Sequence, residues 1–545
     1  MRDPRPVRHD RAPARPGAGP ALAGPPATAA SPAAAPADGT TGEPARTPAP
    51  RVARRPLPAG RERATALGVA GVLLAFVVLA TVHMLTVPRF LPSDETPHTG
   101  YALTVGHGHL PTLDTPVPHE IPGMPPAVGQ RARIYTANHP PLYYTLAAVP
   151  LRVGVAAGAP VAGFYAARLL GIALTALGVL AAAALARLLV PARPQVAVAA
   201  AGVGALLPSF IHIAAFVHND GFAFTTSTLV LVASALVLIE GPSRSRLLAL
   251  ALAAAAAAGT RSSGLVLAGV AAFAAAAAAM WHPDRPARVR LVLAGAAGTL
   301  VVAVTAATSG WFYLRNLRLY GDVAGVRANL DRFGYRPHGS VGGFLLSARN
   351  LDGLYDQLWG RFAALQFLAK GALGLAGEVI GLLVVTGLAL GAVRWARRRS
   401  RPGTPGRAAA WALVLLLPPV LLVLLADYVT RGGGIHARYL YPGLAVLSLI
   451  AAVGLDNLPG RRRGLPILAV LAAQVVLNLV YLGRFLSRIA PGHPAAVTAL
   501  SRRIADTGLP AAPVMMAAAV LLALALAMVG RALWALGDRP PETAP

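Results

Sequence analysis

The sequence has no cysteine in 545 residues, few acidic side chains and a single lysine, Lys370. Without thiols the chain forms no disulfide, uses no thiolate nucleophile and offers no cysteine ligand to a metal. Asp and Glu number 22 against 49 Lys and Arg, and the net charge is +27. Because 55% of the residues are hydrophobic, this charge indicates basic membrane-protein loops close to anionic lipids. We therefore expect membrane lipids, and no nucleic acid, as partners of the basic residues.

Large apolar side chains are almost absent from residues 1–62, which are rich in Pro, Ala and Arg. Such a segment buries too little surface to offset the entropy of ordering, so we predict a disordered, basic cytoplasmic tail. No signal-peptide cleavage site is evident after the first apolar run, which we expect to remain as an anchor. Residues 63–490 are predicted to be a transmembrane region. Residues 491–545 are predicted to hold the last outer loop, a final membrane helix and a cytoplasmic C-terminus.

Apolar runs dominate the rest of the chain, whose mean hydropathy is +0.57. A helix needs about 20 apolar residues to cross a bilayer. The runs that we interpret as membrane helices are 65–88, 166–190, 195–217, 221–240, 246–260, 263–281, 289–310, 371–393, 408–427, 438–456, 464–486 and 512–533. The sequence therefore predicts an all-α fold, a polytopic transmembrane helical bundle of about 12 spans.

Short arginine-rich connections set the predicted orientation, among them GPSRSR, HPDRPARVR and RWARRRSRPGTPGR. Positive-inside bias places them, together with both termini, in the cytoplasm of a multi-pass plasma-membrane protein. The extracytoplasmic side then receives a long first loop, residues 89–165. Within this loop, residues 140–154 are apolar but too short to cross the membrane, so we predict a helix lying at the interface, with Tyr143 and Tyr144 near the lipid headgroups.

Charged side chains collect at the extracytoplasmic ends of the predicted spans. The pair Asp94-Glu95 follows the first span, Asp220 precedes the fourth, and Arg315 and Arg438 flank later ones. A carboxylate near the water boundary can accept the proton of a hydroxyl group that attacks an anomeric carbon. An arginine fork can hold a leaving phosphate. This combination indicates a sugar transferase with a lipid-phosphate donor, and no glycine-rich loop of the kind that cradles nucleotide phosphates is found.

Several short motifs carry a resemblance to a known superfamily. They are SDETPHTGYAL, NHPPLYYTLAA, AARLLGIALTALG, LLPSFIHIAAFVHNDGF, GWFYLRNLRLYGD and ARYLYP. They resemble the GT-C superfamily of polytopic glycosyltransferases, in particular the protein mannosyltransferases and the bacterial aminoarabinose and galacturonosyl transferases. The resemblance extends over about residues 65–490. It implies that residues 63–490 form the catalytic region, and that a sugar moves with inversion from a polyprenyl-phosphate donor to a hydroxyl of a cell-envelope glycan, lipid or protein.

The resemblance also implies roles for single residues. Asp94 would be the catalytic base with Glu95 beside it, and Asp220 would be a second acid that can share a divalent metal ion with Asp94. In NHPP, Asn138 and His139 stand where some relatives have an acid and a lysine. The predicted donor-phosphate residues are Arg438, Arg315, His139 and Asn138, and the predicted cavity also includes His98, Tyr101, Tyr143, His218, Asn219, Asn316 and Tyr439.

Two alternatives stay open at this point. A transporter or a lipid-linked sugar flippase would use intramembrane charges to line a path, and internal repeats would be expected. No obvious repeat is found, and the acids gather at one side of the predicted membrane. The second alternative is a non-catalytic relative that helps to assemble a cell-envelope complex, which the departure in NHPP keeps open.

Overall fold

The computed structural model describes residues 59–92, 94–125, 129–281, 285–360, 372–397, 404–460 and 462–537. The predicted disordered tail lies outside these ranges, apart from its last four residues, which begin the first helix. Most of the described residues are helical. Within the described ranges the structure contains no strand, and an isolated bridge joins Pro116 and Arg133. The predicted all-α class is confirmed.

Twenty α-helices form the described part of the chain. The first ten are α1 (Ala59–Thr86), α2 (Glu95–Gly106), α3 (Leu142–Ala156), α4 (Pro160–Leu189), α5 (Pro194–Ala205), α6 (Pro208–Ala214), α7 (Asp220–Glu240), α8 (Arg244–Thr260), α9 (Gly264–Met280) and α10 (Ala287–Thr305). The others are α11 (Trp311–Tyr320), α12 (Val326–Arg332), α13 (Val341–Leu345), α14 (Ala348–Gly360), α15 (Ala372–Arg397), α16 (Pro405–Thr430), α17 (Leu444–Asp456), α18 (Gly464–Ile489), α19 (Ala496–Ala505) and α20 (Ala511–Leu536). A π-helical turn at Ala306–Gly310 joins α10 to α11, and a 3₁₀ helix at Ala437–Gly443 leads into α17.

Nine helical segments in the described ranges are long and apolar enough to cross a membrane, and the number is ten if α5 and α6, which meet at a bend of 71°, are counted as one span. The predicted count of about 12 is not confirmed. Two predicted spans, α8 and α9, are not among these segments. Each has 17 residues and is about 25 Å long at about 1.5 Å per residue, which is shorter than the roughly 30 Å hydrocarbon core of a bilayer. All the predicted segments nevertheless coincide with helices.

The helix α8 runs back along α7 over the same depth of the bundle. In its first turn, Arg246 pairs with Glu240 at the end of α7, with Nη2 and Oε2 2.7 Å apart. The residue after α8, Arg261, pairs with Asp220 at the start of α7. Because α7 is one of the segments long enough to span, this antiparallel arrangement carries Arg261 to the end of the bundle where α7 begins.

Small residues let several helices approach closely. A Cβ atom on Gly71 of α1 would lie 2.7 Å from the Ala525 carbonyl oxygen of α20, and one on Gly154 of α3 would lie 2.5 Å from the Cα atom of Gly163 in α4. Backbones at such separations leave no room for a side chain. The 15-residue α3 is therefore fixed against α4 as a separate short helix at residues 142–156, where the sequence predicts an interfacial helix.

The far end of the bundle holds a different cluster. The buried carboxylate of Asp456, at the end of α17, accepts a hydrogen bond from Gln195 at 2.8 Å and lies 3.2 Å from Arg193 and 3.7 Å from Arg463. These arginines come from the short basic connections, so the connections and the acid cluster of Asp94 lie at opposite ends of the same helices. We call the end that carries Asp94 the Asp94 end.

Candidate active site

Asp94 occupies the connection between α1 and α2 in a left-handed conformation, with φ of 68°. Aspartate tolerates this conformation better than most residues with a Cβ atom, and such backbone is often found at functional sites. The hydroxyl of Tyr135 donates to its Oδ1 at 2.6 Å, and Nη2 of Arg438 donates to its Oδ2. Residues far apart in sequence thus converge on this carboxylate.

The next residue, Glu95, is fully buried and faces away from Asp94's partners. Its carboxylate accepts two hydrogen bonds from Arg168 of α4, at 2.8 and 2.7 Å. The backbone N–H groups of Phe90 and Val217 donate to the same carboxylate at 3.0 and 3.2 Å. This ion pair joins the segment after α1, the start of α2, α4 and the segment before α7, and it thereby sets the separation of the segments that carry the two aspartates.

Asp220 is the first residue of α7 and is buried. Its Oδ1 contacts Arg261, and its Oδ2 lies 3.4 Å from Nδ1 of His218 and 3.9 Å from Nε of Arg438. Arg438 also donates to Nε2 of His218 at 2.9 Å. Its guanidinium therefore contacts both Asp94 and Asp220 and links them.

A cavity of about 210 Å³ opens beside these groups. The described residues that line it are Asp94, His98, Tyr135, Thr136, His139, His218, Arg261, Asn329, Leu330, Phe333, Tyr335, Tyr428, Gly434, His436, Arg438 and Tyr439. The guanidinium carbons of Arg261 and Arg438 lie 5.0 and 5.6 Å from the ring centre of Tyr439. The cavity thus combines the carboxylate of Asp94 with two arginines, and both guanidinium groups stack on the ring of Tyr439.

Electrostatics keep Asp94 ionised. Burial alone would raise its pKa, but the charge of Arg438 and the hydrogen bond from Tyr135 outweigh burial and hold the pKa well below its ordinary value. An acid in this state is fully deprotonated at neutral pH and weakly basic. The carboxylate of Asp94 becomes more basic if another anion binds Arg438 and weakens the ion pair between them.

Three histidines form one side of the cavity. The ring centres of His98 and His218 are 4.0 Å apart, those of His98 and His139 are 6.2 Å apart, and Nδ1 of His98 is 2.8 Å from the Tyr144 hydroxyl. Burial lowers the pKa of His98 to about 3, and burial also lowers the pKa values of His139 and His218 well below 6.5. These rings are neutral at pH 7 and act there as hydrogen-bonding partners.

The structure brings part of the predicted site together. The predicted residues that line the cavity are Asp94, His98, His139, His218, Arg438 and Tyr439. Asp220 lies directly behind Arg261 and Arg438. Glu95 does not reach the cavity, because Arg168 and two backbone N–H groups already surround its carboxylate.

Arg315 does not reach the cavity either. Its Nη2 donates to the carbonyl oxygens of Leu110 and Pro111 at 3.4 and 2.8 Å, so its guanidinium ties the first loop to α11. Asn316 donates to the Asn138 carbonyl at 3.1 Å. Asn138 in turn donates to the Ala324 carbonyl at 3.0 Å. These three predicted site residues hold loops together because their polar atoms face backbone groups.

The remaining predicted cavity residues support the walls from outside. Asn219 donates to the Thr260 carbonyl at 3.3 Å, next to Arg261. Tyr101 donates to the His139 carbonyl at 2.9 Å. The Tyr143 ring lies edge-on to that of Tyr144, with ring centres 5.5 Å apart. None of the three is among the described residues that line the cavity.

Two residues with direct contacts to the aspartates were missed from the sequence. Arg261 lies in the short connection between α8 and α9, a basic residue at the end where short connections otherwise carry little positive charge. That exception to the positive-inside pattern is the signal that could have found it. Tyr135 sits in an irregular loop segment, and no periodicity or motif marks its contact with Asp94.

A divalent ion between Asp94 and Asp220 does not fit the residues present. Among the described residues, no group of three or more His, Asp or Glu side chains is arranged to hold a metal ion. Arg438 contacts both carboxylates, and Arg261 contacts Asp220. The guanidinium charges thus stand where the sequence predicts the ion, and no chemical step is assigned to a metal.

No family model matches the chain, and no curated protein matches it. Among solved structures, ArnT from Cupriavidus metallidurans bound to undecaprenyl phosphate is 16% identical, with a TM-score of 0.45, and 86% of this chain and 76% of that chain are covered. The archaeal oligosaccharyltransferase AglB from Archaeoglobus fulgidus, in complex with an inhibitory peptide and a dolichol-phosphate, is 13% identical, with a TM-score of 0.39 and coverage of 87% and 56%. The arabinosyltransferase EmbB from Mycobacterium smegmatis is 14% identical, with a TM-score of 0.32 and coverage of 88% and 42%.

These similar structures are GT-C glycosyltransferases. The motifs of this chain resemble the same superfamily. At such low identity and overall similarity, the likeness assigns no substrate and no residue role. Both are inferred from the side chains of the cavity.

Proposed function

We propose that the protein transfers a sugar from a polyprenyl-phosphate donor to a hydroxyl group of an extracytoplasmic cell-envelope acceptor. The observation that carries this proposal is the convergence of Asp94, Arg438 and Arg261 on one cavity. A glycosyl transfer with a phosphate leaving group needs a base for the acceptor and cations for the phosphate. Both are present within one cavity, at the edge of a membrane-type helical bundle.

The two arginines are suited to the donor phosphate. Arg438 and Arg261 each carry five N–H donors, more than their contacts with Asp94 and Asp220 use. They stack on Tyr439, which fixes their planes, and a rigid guanidinium loses little entropy when it binds a phosphate. His139, a neutral imidazole in the same wall, can add a hydrogen bond to a phosphate oxygen.

An apolar groove next to the cavity suits the lipid chain of the donor. It encloses about 360 Å³, and its lining includes Pro140, Leu142, Gly259 and Phe312. Pro140 follows His139, and Gly259 lies two residues before Arg261, so the groove and the cavity share their chain segments. Apolar tails bind such grooves by removing hydrocarbon from competing lipid or water contacts. A donor spanning both would place its phosphate at the arginines.

The reaction proceeds by direct displacement in this proposal. The acceptor oxygen forms a bond to the anomeric carbon, the bond between that carbon and the phosphate oxygen breaks, and the configuration inverts. The acceptor proton passes to Asp94, and polyprenyl phosphate leaves with its charge held by Arg438 and Arg261. Binding of the donor phosphate to Arg438 weakens the ion pair with Asp94, so the carboxylate becomes more basic when the donor is present.

The proposed orientation follows from charge. Arg193 and Arg463 lie at the end opposite Asp94, and positive-inside bias puts that end in the cytoplasm. The cavity then faces the extracytoplasmic side of the plasma membrane, where lipid-linked sugars replace nucleotide sugars as donors.

Sugar transfer in membrane vesicles tests the proposal. Vesicles that contain wild-type protein, Asp94→Asn or the control Asp331→Asn receive radiolabelled polyprenyl-phosphate sugars and an envelope fraction as acceptor. Asp331 is an exposed acid on α12, so its amide is a matched change outside the cavity. We expect a labelled product with wild type and with the control, and a loss of at least 100-fold with Asp94→Asn, since general base catalysis contributes about 10²–10⁴-fold. Equal product from Asp94→Asn would remove Asp94 as the base.

A further inference from the structure

A second cavity of about 320 Å³ adjoins the first at the Asp94 end. The described residues that line it are Arg349, Asn350, Gly353, Gln357, Gly434, Ile435 and His436. Gly434 and His436 also line the cavity of Asp94. The two cavities therefore meet at one short stretch of chain, and a reaction between two substrates needs two separate approaches to one reacting carbon.

Three successive glycines, Gly432 to Gly434, lead into this shared stretch, and the last of them lines both cavities. Gly432 has φ of 108°, which residues with a Cβ atom rarely adopt. A Cβ atom on Gly433 would overlap the Tyr428 ring, and one on Gly434 would lie 2.6 Å from Nε2 of His436. Gly434 thus presents bare backbone to both cavities, and the His436 ring lines both as well. A larger residue in place of Gly434 would displace the ring.

The helix α14 fixes this shared stretch and forms the opposite side of the second cavity. The side chain of Gln357 donates to the Ile435 carbonyl at 3.1 Å and accepts from the Ala437 N–H at 3.0 Å. Those two bonds hold the segment that leads directly into Arg438. The helix α14 therefore fixes the stretch of chain that both cavities share, and Arg438 follows directly after it.

The lining of the second cavity favours an anionic ligand. Arg349 supplies a positive charge, Asn350 and Gln357 supply amides, and none of the described lining residues is a carboxylate. The acids of α14, Asp352 and Asp356, are not among the residues that line it. A hydroxyl compound that also carries a phosphate, sulfate or carboxylate group matches this set of donors.

We propose that the second cavity binds the acceptor of the transfer, a hydroxyl compound with an anionic group held at Arg349, and presents its hydroxyl past His436 to Asp94. This inference rests on the proposed transferase function. The proton and bonds move as in the displacement described above, with the acceptor entering on the α14 side and the lipid donor on the side of α3 and α8. Donor and acceptor then occupy different cavities and bind independently.

The absence of cysteine makes a blocking experiment specific. Asn350→Cys places one thiol in the second cavity, and Asp352→Cys places one on an exposed face of the same helix as a control. Each variant is treated with the bulky anionic thiol reagent sulfonatoethyl methanethiosulfonate. Two quantities are measured, sugar transfer to the envelope fraction and the Kd for undecaprenyl phosphate added alone.

We expect labelled Asn350→Cys to lose at least tenfold in transfer while its Kd for undecaprenyl phosphate is unchanged, and labelled Asp352→Cys to keep both. Unchanged transfer after labelling, or an equal loss in undecaprenyl phosphate binding, would overturn the acceptor assignment. Absence of transfer by the untreated wild-type protein would instead overturn the proposed function itself, and this inference with it.

The charge is tested separately. Arg349→Gln should raise the envelope concentration needed for half-maximal transfer about tenfold with little change in the maximal rate, and Arg349→Lys should recover most of the loss. A role confined to folding would lower the maximal rate of both variants and show no rescue by lysine. An unchanged concentration dependence in Arg349→Gln would exclude an anionic group at this position.

Discussion

Asp94 and Glu95 are adjacent in the chain, yet their carboxylates meet different surroundings. Asp94 lines a cavity and pairs with Arg438, whereas Glu95 is enclosed with Arg168 and has no exposed atoms. Removal of one partner from an enclosed pair leaves a charge without compensation, which costs about 3–5 kcal/mol. The first acid is therefore placed where it can act on a bound ligand, as we propose, and the second sets the separation of the segments around it.

Glu95→Gln should lower the free energy of unfolding by about 3–5 kcal/mol, because Arg168 keeps its buried charge without a counterion. Asp94→Asn should lower it by less than Glu95→Gln does, since Asp94 lies at a cavity wall that water can enter and Arg438 keeps Asp220 beside it. Thermal unfolding of the purified protein in detergent measures both. The double variant Glu95→Leu with Arg168→Met should recover much of the loss, and a double variant as unstable as the single one would contradict the ion-pair explanation.

The buried histidines predict a pH dependence of stability. Their pKa values in the folded protein are below 6.5, and that of His98 is about 3, so the unfolded chain binds protons that the folded protein does not. The contribution of His98 to stability is then fully present above about pH 6.5 and is lost as the pH falls from there towards 3, by about 1.4 kcal/mol per pH unit, and His139 and His218 act in the same direction. His98→Gln should reduce the slope of stability against pH by about 1.4 kcal/mol per pH unit, the contribution of one proton. His109 is exposed, so His109→Gln should leave the slope unchanged. Parallel curves for all three proteins would refute this linkage.

Residues that line the cavity could be predicted from the sequence where a motif marks them, as for Asp94, His218 and Arg438. Arg315 was misplaced because an arginine at a helix end can turn towards the cavity or towards a loop carbonyl, and sequence does not distinguish the two. Arg261 was missed because its contact with Asp220 depends on how α8 lies along α7, a long-range packing that no local pattern encodes.

At the scale of elements, α11 controls the position of Arg261 from outside the cavity. The hydroxyl of Tyr313 on α11 donates to the Ala258 carbonyl at 2.6 Å and lies 3.3 Å from the Arg261 carbonyl. The π-helical turn before α11 shifts the register that presents this tyrosine. The end of α8, and with it Arg261, is therefore held by a neighbouring helix.

Tyr313→Phe should weaken binding of the polyprenyl-phosphate donor about fivefold, since one buried hydrogen bond contributes about 1 kcal/mol. The binding of undecaprenyl phosphate and the donor KM measure this effect. Tyr320→Phe removes a hydroxyl from the same helix, one that accepts from the Leu113 N–H away from Arg261, and should leave donor binding unchanged. Equal effects of the two changes would point to general loosening of α11.

The helices themselves could be predicted because long apolar runs allow few other structures. The loops between them could not. The approach of Tyr135 to Asp94 and the position of α14 against the Gly432–Gly434 segment depend on tertiary contacts between polar groups, which leave no periodic signal.

At the scale of the whole molecule, the helices separate two charged ends. Asp94, Asp220, Arg261 and Arg438 gather at one, and the cluster around Asp456 lies at the other. With the bent pair counted as one span, the described ranges hold ten candidate crossings. The helices α8 and α9 together form an antiparallel hairpin, so including them adds two crossings and the number stays even.

Single cysteines in the cysteine-free chain can decide on which side of the membrane the Asp94 end lies. His119→Cys lies in the exposed first loop at the Asp94 end, and Ser245→Cys lies at the start of α8 at the other end. We expect a membrane-impermeant maleimide to label His119→Cys in intact cells and to label Ser245→Cys only after permeabilisation, because positive-inside bias keeps the arginine-rich end in the cytoplasm. The reverse pattern would place the cavity where nucleotide sugars are present. The location of Asp94 would then no longer favour a lipid-phosphate donor over a nucleotide sugar. The arginines of the cavity would have to bind a different anion.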